Sequence, residues 1–280
     1  MKKKNNVFDY ILPFVLPVLF LIFWQTTALR INNNAIIPTV DRVLENFINF
    51  FNDIIGIGTI PMNIGYSLMR VFLGYSFAAL IALPLGLLMG YFRPVRALFE
   101  NFINIFKPVP SISWQPIVLG WFGIMSLARI TNLDYGPIFA KLDNFKFSML
   151  SIIAIGSFFP IWLGTLDGVT GVRRVLIESA EVLGASKKNI FFDVLIPAAG
   201  PSIMSGLRAG LTSAWAALVA AEMLPGSMTG LGYMISHARE LSRMDVVVTG
   251  IICIGFIGAC FDGMFRLLIN KKFSWGKDVR

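Results

Sequence analysis

Six stretches of this chain are each apolar for about the twenty residues that a helix needs to cross the hydrocarbon core of a bilayer. They span roughly 10–29, 64–91, 99–122, 147–166, 201–224 and 246–269. A soluble helical protein has no use for so many runs of spanning length. The composition agrees: 56% of the 280 residues are hydrophobic and 14% charged, and the mean hydropathy is +0.71, outside the range of an ordinary soluble domain. The expected fold class is therefore all-α, a polytopic integral membrane protein with about six transmembrane helices.

The net charge of +8 could attract nucleic acid, but the way it is distributed points to membrane orientation instead. With the N-terminus inside and the spans alternating, 16 of the 24 basic residues fall on or near the cytoplasmic side. These are Lys2, Lys3, Lys4, Arg93, Arg96, Lys107, Arg173, Arg174, Lys187, Lys188, Arg208, Arg266, Lys271, Lys272, Lys277 and Arg280. The other 8, Arg30, Arg42, Arg70, Arg129, Lys141, Lys146, Arg239 and Arg243, fall outside. An even number of spans with both termini cytoplasmic satisfies the positive-inside bias. The first run follows three lysines as a secretory signal would, yet it is long and no small-x-small cleavage site follows, so it reads as a retained span.

Between the spans the punctuation is informative. Val40, Val43, Leu44, Phe47 and Phe51 recur at helical spacing, which predicts an external amphipathic helix that packs on the other spans in preference to floating in the interface. Pro84, Gly86 and Gly90 in the second span permit either a kink or close helix approach. Pro108, Pro110, Pro116 and Gly120 interrupt the third apolar region, whose helix should be broken or begin after a re-entrant turn. Residues 126–146, with Asn132, Asp134, Gly136, Pro137, Asp143 and Asn144, read as an external loop of about twenty residues. The segment 167–201 is charged yet carries patterned apolar residues. It predicts two short helices, one ended by Gly184 as a left-handed cap and one begun by Ser186 as N-cap, with Pro197 separating the second from the fifth span.

Several chemistries are not encoded. Cys253 and Cys260 share the last span and suggest neither a disulfide framework nor zinc. His237 has no partner at metal-ligand spacing, so catalysis and a bound cofactor are not expected. No Gly-x4-Gly-Lys-Ser/Thr loop is present, so any ATP hydrolysis belongs to another subunit. Internal repeats and a set of ionisable residues at the midplane, marks of a secondary transporter, are not evident either. Arg208 and Glu222 are 14 residues apart in the fifth span, on the order of 20 Å along one helix, so they cannot pair there. Either they line or brace the path, or Arg208 snorkels to the cytosolic interface and Glu222 marks the external end of the span, in a stretch of small residues that includes Ala209, Gly210, Ser213 and Ala214. Arg70 and Asp262, in the second and last spans, read as structural pairs or interface residues.

Glu178-Ser179-Ala180, then Gly184, then Val194-Leu195-Ile196-Pro197 resembles the loop of pattern E-A-A-x3-G-x9-I-x-L-P found in ABC transporter permeases, the inner-membrane components of binding-protein-dependent transport systems. Ser179, Val194 and Ile196 are conservative exchanges within that pattern. Gly156-Ser157-Phe158-Phe159-Pro160, Thr165-Leu166-Asp167-Gly168-Val169, Gly206-Leu207-Arg208, Ala220-Ala221-Glu222-Met223, Ser113-Trp114-x-Pro116 and Trp121-Phe122-Gly123 look like the nitrate, sulfonate and taurine branch.

The resemblance implies a type I importer permease that is not itself an enzyme and sits in the bacterial cytoplasmic (inner) membrane as a multi-pass protein. Its implied partners are a cytoplasmic ABC ATPase, an extracytoplasmic substrate-binding protein, membrane lipid and a second copy of itself; no nucleic acid is implied. It assigns ATPase coupling to Glu178, Ser179, Ala180, Glu181, Gly184, Val194, Ile196 and Pro197, and leaves Arg208, Trp215 and Glu222 as candidates for the pathway or gate. Its substrate would be a small solute such as a sulfonate, nitrate or a thiamine precursor. The expected organisation is an N-terminal span at 1–30, an external amphipathic segment at 31–63 and a permease core at 64–270 with its coupling loop at 167–200. A cytoplasmic tail would follow at 271–280.

Overall fold

The computed structural model describes residues 7–123, 125–130, 136–224 and 226–272. Lys2, Lys3, Lys4, Asn132, Asp134, Lys277, Arg280 and all but the first two residues of the expected tail lie outside the described residues. The helices are α1 (Val7–Ile31), α2 (Val40–Ile48), α3 (Ile60–Tyr91), α4 (Arg93–Phe106) and α5 (Gln115–Phe122). Then come α6 (Leu127–Ile130), α7 (Pro137–Asp143), α8 (Phe147–Thr170), α9 (Arg174–Val182) and α10 (Lys187–Asn189). The last three are α11 (Ile196–Glu222), α12 (Leu231–Glu240) and α13 (Met244–Lys272). Among the described residues there is no strand, only an isolated antiparallel bridge between Ser126 and Lys146.

Among those residues, five helices are long and apolar enough to cross a membrane: Leu12–Ile31, Ile60–Tyr91, Phe147–Thr170, Lys187–Glu222 and Met244–Lys272. The third apolar region of the sequence is divided, as its prolines predict. It forms α4, a 3₁₀ turn at Ser111–Trp114 and α5, because Pro108 and Pro110 cannot supply the amide hydrogens that would continue the helix. Pro197 behaves differently from expectation. The chain stays helical from Lys187 to Glu222, and a π-helical turn at Ile190–Leu195 precedes the proline. Widening that turn accommodates the ring where an α-helical ladder would clash with it.

Helix α8 lies between α3 and α11 and is the centre of the bundle. In lipid there is no hydrophobic force to press helices together, so backbones must approach closely enough for dispersion to hold them. The contact face of α8 is cut for this. A Cβ on Gly164 would lie 2.4 Å from the Cα of Gly206 on α11, and one on Gly86 of α3 would lie 2.7 Å from the Thr165 side chain. Gly86 thus serves close packing. Hydroxyls buried in α8 stay within the helix: Ser157 donates to the Ile153 carbonyl and Thr165 to that of Ile161.

The outer elements are tied on by polar contacts. On α2, Asn46 donates to Asp245 and Thr249 of α13, and Val43 is buried while Leu44 and Phe51 remain exposed. The amphipathic helix therefore packs on the bundle. Helix α1 meets it only near one end, where Trp24 donates to the Pro38 carbonyl and Gln25 to Asp41. Most of its apolar length is exposed. In the 126–146 loop, Asp143 accepts from Ser126 and Lys146. Burial pushes the Asp143 carboxyl up, but those partners outweigh it and hold it below the usual carboxylate range.

Replacing Gly206 by Val should lower stability by about 1–3 kcal/mol through overpacking against α8. Gly255→Ala, at a position where a Cβ meets nothing within 4 Å, should be neutral or mildly stabilising. Thermal unfolding of the purified protein in detergent compares the two, and equal melting would refute the packing account.

Candidate coupling surface and central groove

Helix α9 leaves the bundle at the end where α8 finishes and α11 begins. None of its side chains is buried, and the two apolar residues that close it, Val182 and Leu183, are 88% and 86% exposed. Its C-terminus is a complete Schellman motif: Gly184 N–H donates to the Glu181 carbonyl at 2.9 Å and Ala185 N–H to that of Ala180 at 3.0 Å. Gly184 sits at φ +78°, a conformation that costs glycine little and other residues more. Ser186 then accepts the Asn189 N–H as the N-cap of α10.

The second arm of this elbow is anchored. Ile190 and Leu195 are buried, Phe191 stacks edge-on against Tyr91 of α3 at 5.0 Å, and Leu195 packs with Val169 and Ala199. Val194 and Ile196 are half-buried in this arm, while Glu178, Ser179, Glu181 and Pro197 are exposed and Ala180 is partly so. The result is a capped, solvent-facing helix on a fixed arm, suited to receive a push from a partner and pass it to α8 and α11.

The candidate pathway residues have other partners. Glu222 is fully buried. It accepts from Arg70 of α3 at 2.5 Å, from Ser67 at 2.8 Å and from Gly232 N–H at 2.9 Å. Arg70 spends its remaining donors on the Asn144 carbonyl, the Thr229 carbonyl and the Thr229 hydroxyl, which satisfies the whole guanidinium. The cluster joins α3, the residue that closes α7, the end of α11 and the turn before α12. A Cβ on Gly230 would lie 2.2 Å from the Glu222 carboxylate, so this turn closes over the ion pair without room to spare. Arg208 pairs with Asp262 of α13, which also holds Arg266. Trp215 is 5% exposed, donates to the Ile254 carbonyl at 3.0 Å and meets Phe261 edge-on.

All three residues therefore face protein. The opposite face of α11, with Ser202, Ser205, Ala209, Ser213, Ala216 and Ala220 at intervals of three and four, lines an open groove against Phe159, Pro160 and Gly164 of α8. The groove has two lobes of about 550 and 490 Å³ that meet at Phe159, Pro160 and Lys107. Residue-type reasoning passes over Ser202 and Ser205 and reads Ser213 only as one of several small residues suited to close packing, because single hydroxyls carry no motif; their three-to-four spacing is the signal that could have found the face. Lys107 stands at the far end of α4 from Arg93 and beside the middle of α8, because α4 begins before the apolar run and the proline break ends it there.

Residues 82–273 match the family described as binding-protein-dependent transport system inner membrane component. The chain is 42% identical over 277 residues to an ABC transporter permease protein of Methanocaldococcus jannaschii, covering 99% of this chain and 96% of that one. It is 31% identical to the taurine transport system permease protein of Escherichia coli, over 95% and 89% of the two chains. With the nitrate import permease protein of Synechocystis it shares 29% identity over 95% and 93%.

Breaking the buried ion pair on one side should destabilise the fold by about 3–5 kcal/mol, because the other charge is left enclosed without a counter-charge. Arg70→Met or Glu222→Gln should each show this in thermal melts of the purified protein. The double variant should lose clearly less than the sum of the two; additive losses would mean that the charges do not interact.

Proposed function

The chain belongs to the family of binding-protein-dependent transport system inner membrane components, as a multi-pass permease subunit of an ABC importer, and from that premise we propose how its parts work. The α9 elbow, with Glu178, Ser179, Ala180, Glu181 and Gly184, docks on the cytoplasmic ATPase, and Val194, Ile196 and Pro197 join it to α11. Two copies pair with their α8–α11 grooves facing each other and enclose the translocation path. Arg208, Trp215 and Glu222 brace that path from behind, by holding α11 against α13 and α3. The end carrying α2, α7 and α12 faces outward and receives the binding protein, and both termini are cytoplasmic. Lipid covers the exposed length of α1, and residues 64–270 act as the permease core.

The observation that carries this reading is the contrast within the elbow: α9 buries none of its side chains, while the arm that follows is locked into the bundle. An exposed helix with a rigid cap and a fixed root transmits a displacement where a loose loop would absorb it. Importers of this family work with separate ATPase and substrate-binding subunits, and the matched relatives named for taurine, sulfonates and nitrate support a small oxyanion as substrate over a thiamine precursor.

Two variants test the coupling. Gly184→Pro cannot adopt the positive φ of the cap, and Glu178→Lys reverses a charge on the exposed face of α9. Both should insert normally, recover less ATPase on affinity purification from native membranes, and lose ATP-driven uptake. Wild-type uptake in both would overturn the coupling role, and a wild-type preparation that never recovers an ATPase would overturn the docking.

A further inference from the structure

Lys107 is the one residue of the groove whose chemistry the packing does not explain. Its neighbour Phe106 turns into an apolar cavity and packs on Trp114 at 5.5 Å. Lys107 turns the other way and lines both lobes of the groove. The chain fixes this divergence: Lys107 N–H closes α4 on the Ile103 carbonyl, and Pro108 and Pro110 prevent the helix from carrying the side chain further round.

Its depth is what makes it unusual. The lobes meet at Phe159 and Pro160, and Pro160 lies ten residues from the end of α8 at Thr170, about 15 Å along the helix. The lysine stem spans only on the order of 6 Å, too little to snorkel to either surface. A charge held at that depth must face water or a counter-charge. Yet among the described residues Lys107 takes part in none of the ion pairs, which join Arg70, Arg96, Lys146, Arg208, Arg243 and Arg266 to carboxylates. The carboxylate that shares its inner lobe, Asp167, lies seven residues further toward the α9 end, near enough to Arg96 for those two charges to interact. Around Lys107 the groove offers the hydroxyls of Ser111, Ser202, Ser205 and Ser213, together with methyl and methylene groups.

We propose that Lys107 is the charge-selecting residue of the translocation path, drawing small oxyanions to its midpoint while the serine hydroxyls take part of their hydration shell. This rests on the reading of the α8–α11 groove as the path. An ammonium suits a site of transit. It is a compact, hydrated point charge on a flexible stem, without the rigid fork by which arginine clamps an oxyanion in two places, and a path must bind weakly enough to release. In the paired assembly two such ammoniums would share one path and reinforce the same preference.

The test uses the complete importer, with its ATPase and binding protein, in proteoliposomes. Uptake of labelled nitrate, sulfate and methanesulfonate, with glycerol and choline as neutral and cationic probes, is compared for the wild type and for Lys107→Arg, Lys107→Gln and Lys107→Glu. The wild type should carry at least one oxyanion. Lys107→Arg should keep the preference for oxyanions over the neutral and cationic probes but at a reduced rate, since its fork releases them more slowly; Lys107→Gln should lose about ten-fold or more, and Lys107→Glu should carry almost none. Oxyanion uptake by Lys107→Gln and Lys107→Glu at the wild-type rate overturns the proposal, as does a wild type that moves none of the three oxyanions.

A second measurement does not depend on transport. With Cys253→Ala and Cys260→Ser as background, Ser205→Cys is labelled with anionic and cationic water-soluble thiol reagents. The anionic reagent should react faster, and Lys107→Gln should reduce that preference about ten-fold; an unchanged ratio counts against Lys107. If Ser205→Cys reacts with neither reagent, the groove is not a water-filled path and the functional reading itself fails.

Discussion

Close backbone approach along α8 is the constraint on which the rest of the molecule depends. In lipid, apolar side chains gain nothing by leaving hydrocarbon for other hydrocarbon, so the three central helices hold together where they can touch along their backbones. Gly164 against Gly206 and Gly86 against Thr165 supply that contact on the two sides of α8. Because α8 is held on both faces, α3, α8 and α11 behave as one slab. The small residues that permit the contact also leave α11 with a shallow, hydroxyl-bearing face beside it. Packing and groove follow from the same choice of small side chains.

The two ends of the slab are then pinned differently, one by a polar cluster and the other by apolar packing. Arg70, Glu222, Ser67 and the turn at Thr229–Gly230 fasten one end, and the Tyr91, Phe191 and Leu195 packing fastens the other. A buried ion pair offers little net stability over a well-packed apolar substitute, so its value here lies in fixing which segments meet. It brings residues 152 positions apart to 2.5 Å and leaves no slack in the turn that covers it. On the proposed coupling role of α9, a displacement there would reach a body whose far end is already held, which favours tilting over local deformation.

Features written in neighbouring residues were legible in the sequence; features created by the assembly of helices were not. The elbow could be read because its cap is a matter of local chain geometry, with Gly184 and Ser186 at fixed offsets from Glu178. The break in the third apolar region was legible for the same reason, since Pro108 and Pro110 act on their own turns. By contrast, Arg70, Arg208, Glu222 and Asp262 each stood out as costly charges, but who pairs with whom depends on how α3, α11 and α13 are arranged in space. The likeness of residues 178–197 to a known coupling pattern spoke for an importer, whereas the depth of Lys107 stayed hidden. Assigning sides by alternation assumed a helix starting near residue 99, and α4 in fact starts at Arg93, which carries Lys107 to the helix's far end.

The charges at membrane depth thus divide into two kinds with different consequences. Arg70 and Arg208 are matched by Glu222 and Asp262, so their fields largely cancel beyond the pair and they offer a passing ion neither attraction nor repulsion. Lys107 has no such match among the described residues, and its field extends into the groove through a medium that screens it poorly. On the proposed reading of the groove as a path, selection draws on the unpaired ammonium of Lys107, with the Asp167 carboxylate set toward Arg96 and the charges behind α11 neutralised in pairs. Pairing behind α11 and, among the described residues, the absence of an ion pair at Lys107 across the groove from it are, on this view, two halves of one electrostatic arrangement.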